Sequence, residues 1–192
     1  MFVLLCALAG GAQAGKKDAL AALGSVSFDV QPAMQATLMT RGKGSAAMAG
    51  GIGVLIAAQL AKRPNELSAL IEKASIPAET IAADALREQL MQRGILQVVD
   101  QEADAVIKVE SIPSGSYAGD GLYRIGMQIG VSIVGRDGKV IWAREEGGFD
   151  RTLPAAEFEI LFNDPQMVTE RLRLAAAEAA KILASRIYVA RM

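Results

Sequence analysis

One stretch constrains this chain more than any other: from Tyr123 to Val134 large apolar residues alternate with polar or small ones. Tyr123, Ile125, Met127, Ile129, Val131 and Ile133 fall on one side, and Arg124, Gly126, Gln128, Gly130, Ser132 and Val134 on the other. A sustained period of two is the pattern of a β-strand with one face in the core and the other face outside it. Such a strand needs hydrogen-bonded neighbours, and the flanking sequence supplies them. Ala103 to Ile112 reads as a strand with Ala105, Ile107 and Val109 inward. Lys139 to Arg144 returns after Gly135-Arg136-Asp137-Gly138, whose Asp-Gly step suits a tight turn. The connection Ser114 to Gly121 reads instead as a long, mobile loop. Shorter strands are expected at Ser25 to Val30, ended by Pro32, and at Leu96 to Val99.

The apolar face of this sheet also needs a cover. Ile81, Ala82, Ala85, Leu86 and Leu90 form a stripe at helical spacing, with Asp84, Arg87, Glu88 and Gln92 facing away and Gly94 as the left-handed stop. The spacing predicts a helix over about Pro77 to Arg93, with Ser75 as its N-cap. A shorter helix at Glu66 to Ala74 turns Leu67, Leu70 and Ile71 to one side. After a brief helical stretch around Ala155 to Phe162, Asp164 and Pro165 start a long helix running to about Val189. Its apolar side uses Met167, Leu172, Ala175, Ala179, Ile182, Leu183 and Ile187, leaving Glu170, Arg171, Glu178, Lys181 and Arg186 in solvent. The fold class that buries both patterns is α+β: an antiparallel or mixed sheet of about four or five strands, with two amphipathic helices on one face.

The first residues bear on compartment. Met1 to Ala14 is an apolar stretch ending in Ala-Gln-Ala, the small-residue pattern of a signal peptidase site, so residues 1–14 read as a signal peptide and Gly15 as the first mature residue. No basic residue precedes the apolar run, which points to a start codon upstream of Met1 rather than to a weak signal. Cys6, the single cysteine, is a second processing option as a lipidated first residue, but Leu5 stands where a lipobox has a small side chain. Export to the periplasm, with or without membrane association, is expected on either route. Residues 15–41 form an N-terminal lead and first strand, 42–63 a Gly/Ala-rich apolar segment, and 64–192 the α/β domain.

Chemistry is limited by what the chain lacks. It has no histidine, which removes the commonest general base and most zinc sites. Thiol catalysis goes with Cys6 in the leader, and neither Gly42-Lys43-Gly44-Ser45 nor Gly50-Gly51-Ile52-Gly53 has the spacing of a nucleotide-binding loop. No cofactor, no metal and no enzymatic activity are expected. The 20 basic and 21 acidic residues are interspersed, so there is no footprint for nucleic acid. Asp100, Glu102 and Asp104 read as a polar turn without the spacing of a calcium loop. The residual catalytic option is a carboxylate-dependent cell-wall glycan hydrolase using Glu145, Glu146 or Asp150.

Two regions are candidate binding surfaces. In the Gly/Ala segment, Gly50, Gly51 and Gly53 lie among small residues that permit close backbone approach. Its apolar part, Ala46 to Ala58, is shorter than the about 20 residues a bilayer span needs, so contact with the domain, with another helix or with a membrane surface is expected, including assembly into a membrane-active oligomer. The outward side of the alternating strand, with Gly126, Gln128 and Gly130, carries almost no bulk and is a place for another chain or extended ligand to lie. Tyr117 and Tyr123 are its expected edges.

Ala103-Asp104-Ala105-Val106-Ile107-Lys108-Val109, the Gly-rich connection, the alternating strand and Asp137-Gly138-Lys139-Val140-Ile141-Trp142 together resemble the strand pattern of small bacterial envelope proteins and lipoproteins. Over about Pro77 to Ile187 the order of elements is similar to the α/β domain of the curli-secretion lipoprotein and the N-terminal domain of the Tol translocation protein. The resemblance implies a non-catalytic part that aids envelope assembly or transport by binding a protein or lipid, and it brings no catalytic residues with it.

Overall fold

The structure, a computed structural model, describes residues 18–34, 37–39 and 66–192. Residues 1–14 and 42–63, with Gly50, Gly51 and Gly53, lie outside the described residues. In chain order the elements are β1 (Ser25–Val30), β2 (Thr37–Met39), α1 (Ala78–Gln92), β3 (Gln97–Val98), β4 (Ala105–Gly119), β5 (Leu122–Gly135), β6 (Val140–Phe149), β7 (Ala156–Glu157), α2 (Phe158–Phe162) and α3 (Pro165–Arg191). Helical turns also occupy residues 18–22 and 66–73.

The strands form one mixed seven-stranded sheet whose main path is β3-β1-β4-β5-β6. Strands β4, β5 and β6 are consecutive antiparallel neighbours, whereas β1 runs parallel to β3 and β4. Two short strands prolong the outer edges: β2 follows β1 along β4, and β7 pairs β5 beyond the end of β6. Strand β4 continues to Gly119, through all but the last two residues of the expected loop. Asp120 and Gly121, with φ of 51° and 77°, close a tight hairpin there, so the chain needs only these two left-handed residues to reverse. The other hairpin turns at Gly138, where φ is 76°.

Helices α1 and α3 cover one face, as the two amphipathic patterns require. Ile107, Val109, Ile125, Met127, Ile129 and Ile133 of the sheet share a core with Leu86 and Leu90 of α1 and with Leu172, Leu183 and Ile187 of α3. Asp164 caps α3 by accepting hydrogen bonds from the Gln166 and Met167 backbone N–H groups at 2.9 and 3.1 Å. Ser75 does not cap α1. Its φ of 50° ends the preceding helical turn, and Pro77 holds the N-cap position without a side-chain bond. Leu67 is buried at the core, as its stripe predicts.

The depth at which α3 sits is set by small residues on both partners. Ala175, Ala176, Ala179, Ala180 and Ala184 are all fully buried on its inner side. Opposite them is Gly148 of β6, where a methyl group would overlap the Ala175 carbonyl oxygen and lie 2.6 Å from the Ala179 nitrogen. Helix backbone and strand backbone are in direct contact there, a distance that no residue with a side chain allows. Its neighbour Gly147 faces the other way, with nothing within 4 Å of the same position.

Two acids hold the ends of the sheet. Asp104 Oδ2 accepts from the Gly24 and Ser25 N–H groups and from Ser25 Oγ, at 3.1, 2.9 and 3.0 Å, and so fastens the start of β1 to the start of β4. The backbone and side-chain hydrogen bonds from Ser25 hold its carboxyl below the usual value. Asp150, just after β6, has a fully buried side chain and forms an ion pair with Arg171 of α3, which is only 4 % exposed rather than in solvent as its helical position predicts. Arg171 Nη1 also donates to the Pro154 carbonyl at 3.0 Å, and Arg124 Nη1 donates to the Asp150 and Leu153 carbonyls at 3.2 and 2.7 Å. One buried carboxylate thus gathers the turn after β6 between a strand arginine and a helix arginine. Burial pushes the Asp150 carboxyl above its ordinary range, and Arg171 pulls the other way.

Gly148→Ala is expected to cost about 1–3 kcal/mol in urea unfolding, because the helix must lift off the sheet, while Gly147→Ala leaves the midpoint nearly unchanged. Asp104→Asn should destabilise the protein at neutral pH. Because the folded carboxyl titrates below its unfolded value, its contribution is present above about pH 4 and fades as pH falls, so wild-type and variant melting curves converge in acid. Asp150→Ala strands a buried guanidinium and is expected to cost about 3–5 kcal/mol. Adding Arg171→Met should restore most of that loss, as measured in a double-mutant cycle.

Candidate binding face

The face of the sheet away from α1 and α3 is built from the second half of each strand alternation. Register places its residues in rows across β4, β5 and β6: Lys108, Ser132 and Ala143; Glu110, Gly130 and Glu145; Ile112, Gln128 and Gly147; and Ser114, Gly126 and Phe149. Paired residues in a ladder share a face, so each row is a line of neighbouring side chains. The central strand contributes two glycines, one serine and one glutamine to these rows, and the surface sinks along it.

The depression has a volume of about 340 Å³ and is lined by Lys108, Glu110, Gly130, Ser132, Ala143 and Glu145. Gly130 forms its floor. A Cβ built there would lie 3.6 Å from Glu110 Cβ and Oε2, ordinary contact distances, so the space above it is available to a side chain. Glu110 and Glu145 stand in the same row on either side of Gly130, with Lys108 one row away. The trough therefore offers acceptors and a cation around a floor without bulk, which suits contact with an extended chain or a polar headgroup.

Its lower end is closed. Gly126 is buried, not open: a Cβ there would lie 2.5 Å from Ser114 Oγ and 2.8 Å from the Phe149 ring. The aromatic side chain of the edge strand fills the place left by the glycine, and the open part of the face runs from Gln128 upward. Tyr123 does not border the trough either. It belongs to the inward half of the alternation and is 4 % exposed, on the helix-covered side. Tyr117 is its register partner across the hairpin. Of the expected surface, Gln128 and Gly130 are thus placed together, and the row neighbours Glu110, Ser132, Ala143 and Glu145 are added to them. The sequence holds that signal in the alternation of β4, but the neighbours of Gly130 depend on register across two hairpins.

The three acids considered for hydrolysis are pulled apart by the fold. Glu145 faces the trough, Glu146 faces α3 and lies 3.5 Å from the Arg186 Nε, and Asp150 is buried against Arg171. Strand alternation alone sends adjacent residues 145 and 146 to opposite faces, so they cannot serve one cleft. Among the described residues there is also no group of three or more acids, histidines or cysteines that would hold a metal ion.

Comparisons with known proteins return an envelope family. The structure is similar to a minor lipoprotein from Acinetobacter baumannii, with 13% identity, a TM-score of 0.47, and coverage of 88% of this chain and 95% of that one. It is also similar to a putative lipoprotein from Caulobacter crescentus CB15, with 10% identity, a TM-score of 0.41, and coverage of 91% and 93%. No curated protein matches the sequence. The family found is not that of the curli-secretion or Tol domains which the strand pattern resembles: the profile of the LptE lipopolysaccharide-assembly family matches residues 69–190, from the helical turn before α1 almost to the end of α3. The chain belongs to the LptE lipopolysaccharide-assembly family.

Proposed function

We propose that this protein is a non-catalytic component of lipopolysaccharide assembly, exported to the periplasmic side of the envelope, and that it works by holding a protein or lipid partner against the open face of β4, β5 and β6. Family membership supports the assembly role. The observation that carries the choice of surface is the trough over Gly130: one face of the sheet is fully used by the helices, while the other is stripped of bulk along its central strand. Binding there needs no rearrangement of the core. It requires only that a partner's side chains or headgroup enter between Glu110 and Glu145.

The test uses Gly130→Leu, which fills the trough without touching the helix layer. Capture of envelope proteins by the tagged protein, and binding of purified lipopolysaccharide, are both measured for wild type and variant. At least one of them is expected to fall about tenfold or more with an unchanged melting temperature, since a bulky side chain on a floor built for none excludes the partner. Unchanged binding in both assays would reject this face as the binding surface.

A further inference from the structure

Strand β6 ends the main path of the sheet, so its side away from β5 has no neighbouring strand among the described residues. The ladder fixes which backbone groups are left over. The Asp150 N–H donates to the Ile125 carbonyl at 3.0 Å, which makes these two a hydrogen-bonded pair. In an antiparallel ladder such pairs alternate with pairs that exchange no bonds, so Phe149, Gly147, Glu145 and Ala143 turn their N–H and C=O groups outward.

Both ends of this edge are closed within the chain. The Phe149 N–H donates to Glu178 Oε2 at 2.7 Å, and its carbonyl accepts from the Arg151 N–H at 2.8 Å. At the other end the register slips between Ile133–Trp142 and Val134–Val140, which leaves Ile141 as a bulge. Between these guards Ala143, Glu145 and Gly147 are exposed, and their outward backbone groups have no hydrogen-bond partner among the described residues. An open run of main-chain donors and acceptors is a template for another strand, and a lipid headgroup has no ladder to match it.

The same edge carries one of the trough's acids. Glu145 and Gly130 are a pair without ladder bonds, the more closely spaced kind, so the Glu145 side chain stands beside the glycine floor. From the other side, Glu110 Oε2 comes within 3.6 Å of where a Gly130 Cβ would lie. Register adds Asp29 next to Lys108 on this face. Asp29, Glu110 and Glu145 therefore face the single cation Lys108, and none of the four has an ion-pair partner among the described residues. Arg144 does not alter that balance, because its register partner is the inward Val131 and its side chain belongs to the opposite face. An excess of exposed carboxylates disfavours a phosphorylated headgroup and favours an ammonium or guanidinium.

Resting on the reading of the trough as the binding surface, we infer that its occupant is an extended segment of a protein partner, which adds as a strand to β6 along residues 143–147 and lays a lysine or arginine across Glu145 into the space over Gly130. A residue opposite Glu145 on an added strand starts about 10 Å from Gly130, two strand spacings away, so only a long side chain brings its charge over the floor.

The experiment uses the full-length protein in its own envelope, with Arg144 replaced by the photoreactive residue p-benzoylphenylalanine, which borders the edge without filling the trough. Illumination is expected to give a protein adduct whose crosslinked peptide, sequenced by mass spectrometry, carries a lysine or arginine. The same residue in place of Ile160, beside β7, should not give that adduct. Gly147→Pro removes an outward N–H but no ladder bond, and is expected to lower the adduct about fivefold or more with an unchanged melting temperature. Glu110→Gln combined with Glu145→Gln should lower it about tenfold or more, while binding of purified lipopolysaccharide is unchanged in both variants. An adduct with lipopolysaccharide or with a second copy of this chain, no adduct at position 144, or an adduct insensitive to both changes would each overturn the inference. If Gly130→Leu weakens lipopolysaccharide binding alone, the face stands as a binding surface and the added strand is rejected; if it weakens neither partner, the surface itself is rejected.

Discussion

The backbone contact between α3 and β6 at Gly148 is the constraint on which the rest of this architecture depends. A helix usually rests on a sheet at a distance set by interlocking side chains. Here the line of alanines on α3 and the missing side chain on β6 remove that spacer locally. The helix lies low over the edge of the sheet, and Arg171 reaches Asp150 beyond the end of β6 while Arg186 reaches Glu146 on it. The ion pairs are consequences of the close approach: a helix held farther out would leave the Asp150 carboxylate buried without its guanidinium.

The same approach explains why the two faces of the sheet differ so strongly. One layer of helices, drawn tightly against one face, covers the large inward side chains of the strand alternation, and the open face keeps only scattered apolar residues such as Ile112 and Phe149. The other face is free to be shallow. Glycines along it have two different uses. Gly126 is a packing position, filled from the neighbouring strand by Phe149, whereas Gly130 has no such cover and forms the floor of the trough. A glycine in a strand is thus not by itself a sign of an open surface; the residue beside it in the ladder decides.

Local pattern alone determined much of this protein. The alternation of Tyr123 to Val134, the stripe of α1, and the Asp164-Pro165 start of α3 are properties of contiguous residues, and each appears in the structure within a residue or two of its expected place. The strand beyond Pro113 was missed because Ser, Gly and Ala there have no hydrophobic period; β4 persists because its partner β5 pairs it to the end, and the Asp120-Gly121 turn closes the pair. Tertiary structure decided what no window of sequence contains: that Arg171 is buried because Asp150 meets it, that Tyr123 faces the core and so cannot edge a groove, and that Glu110 and Glu145 flank Gly130. The physical reason is range. Secondary structure follows from the spacing of apolar residues along the chain, whereas burial of a charge and the composition of a surface depend on the register and depth at which distant segments come together.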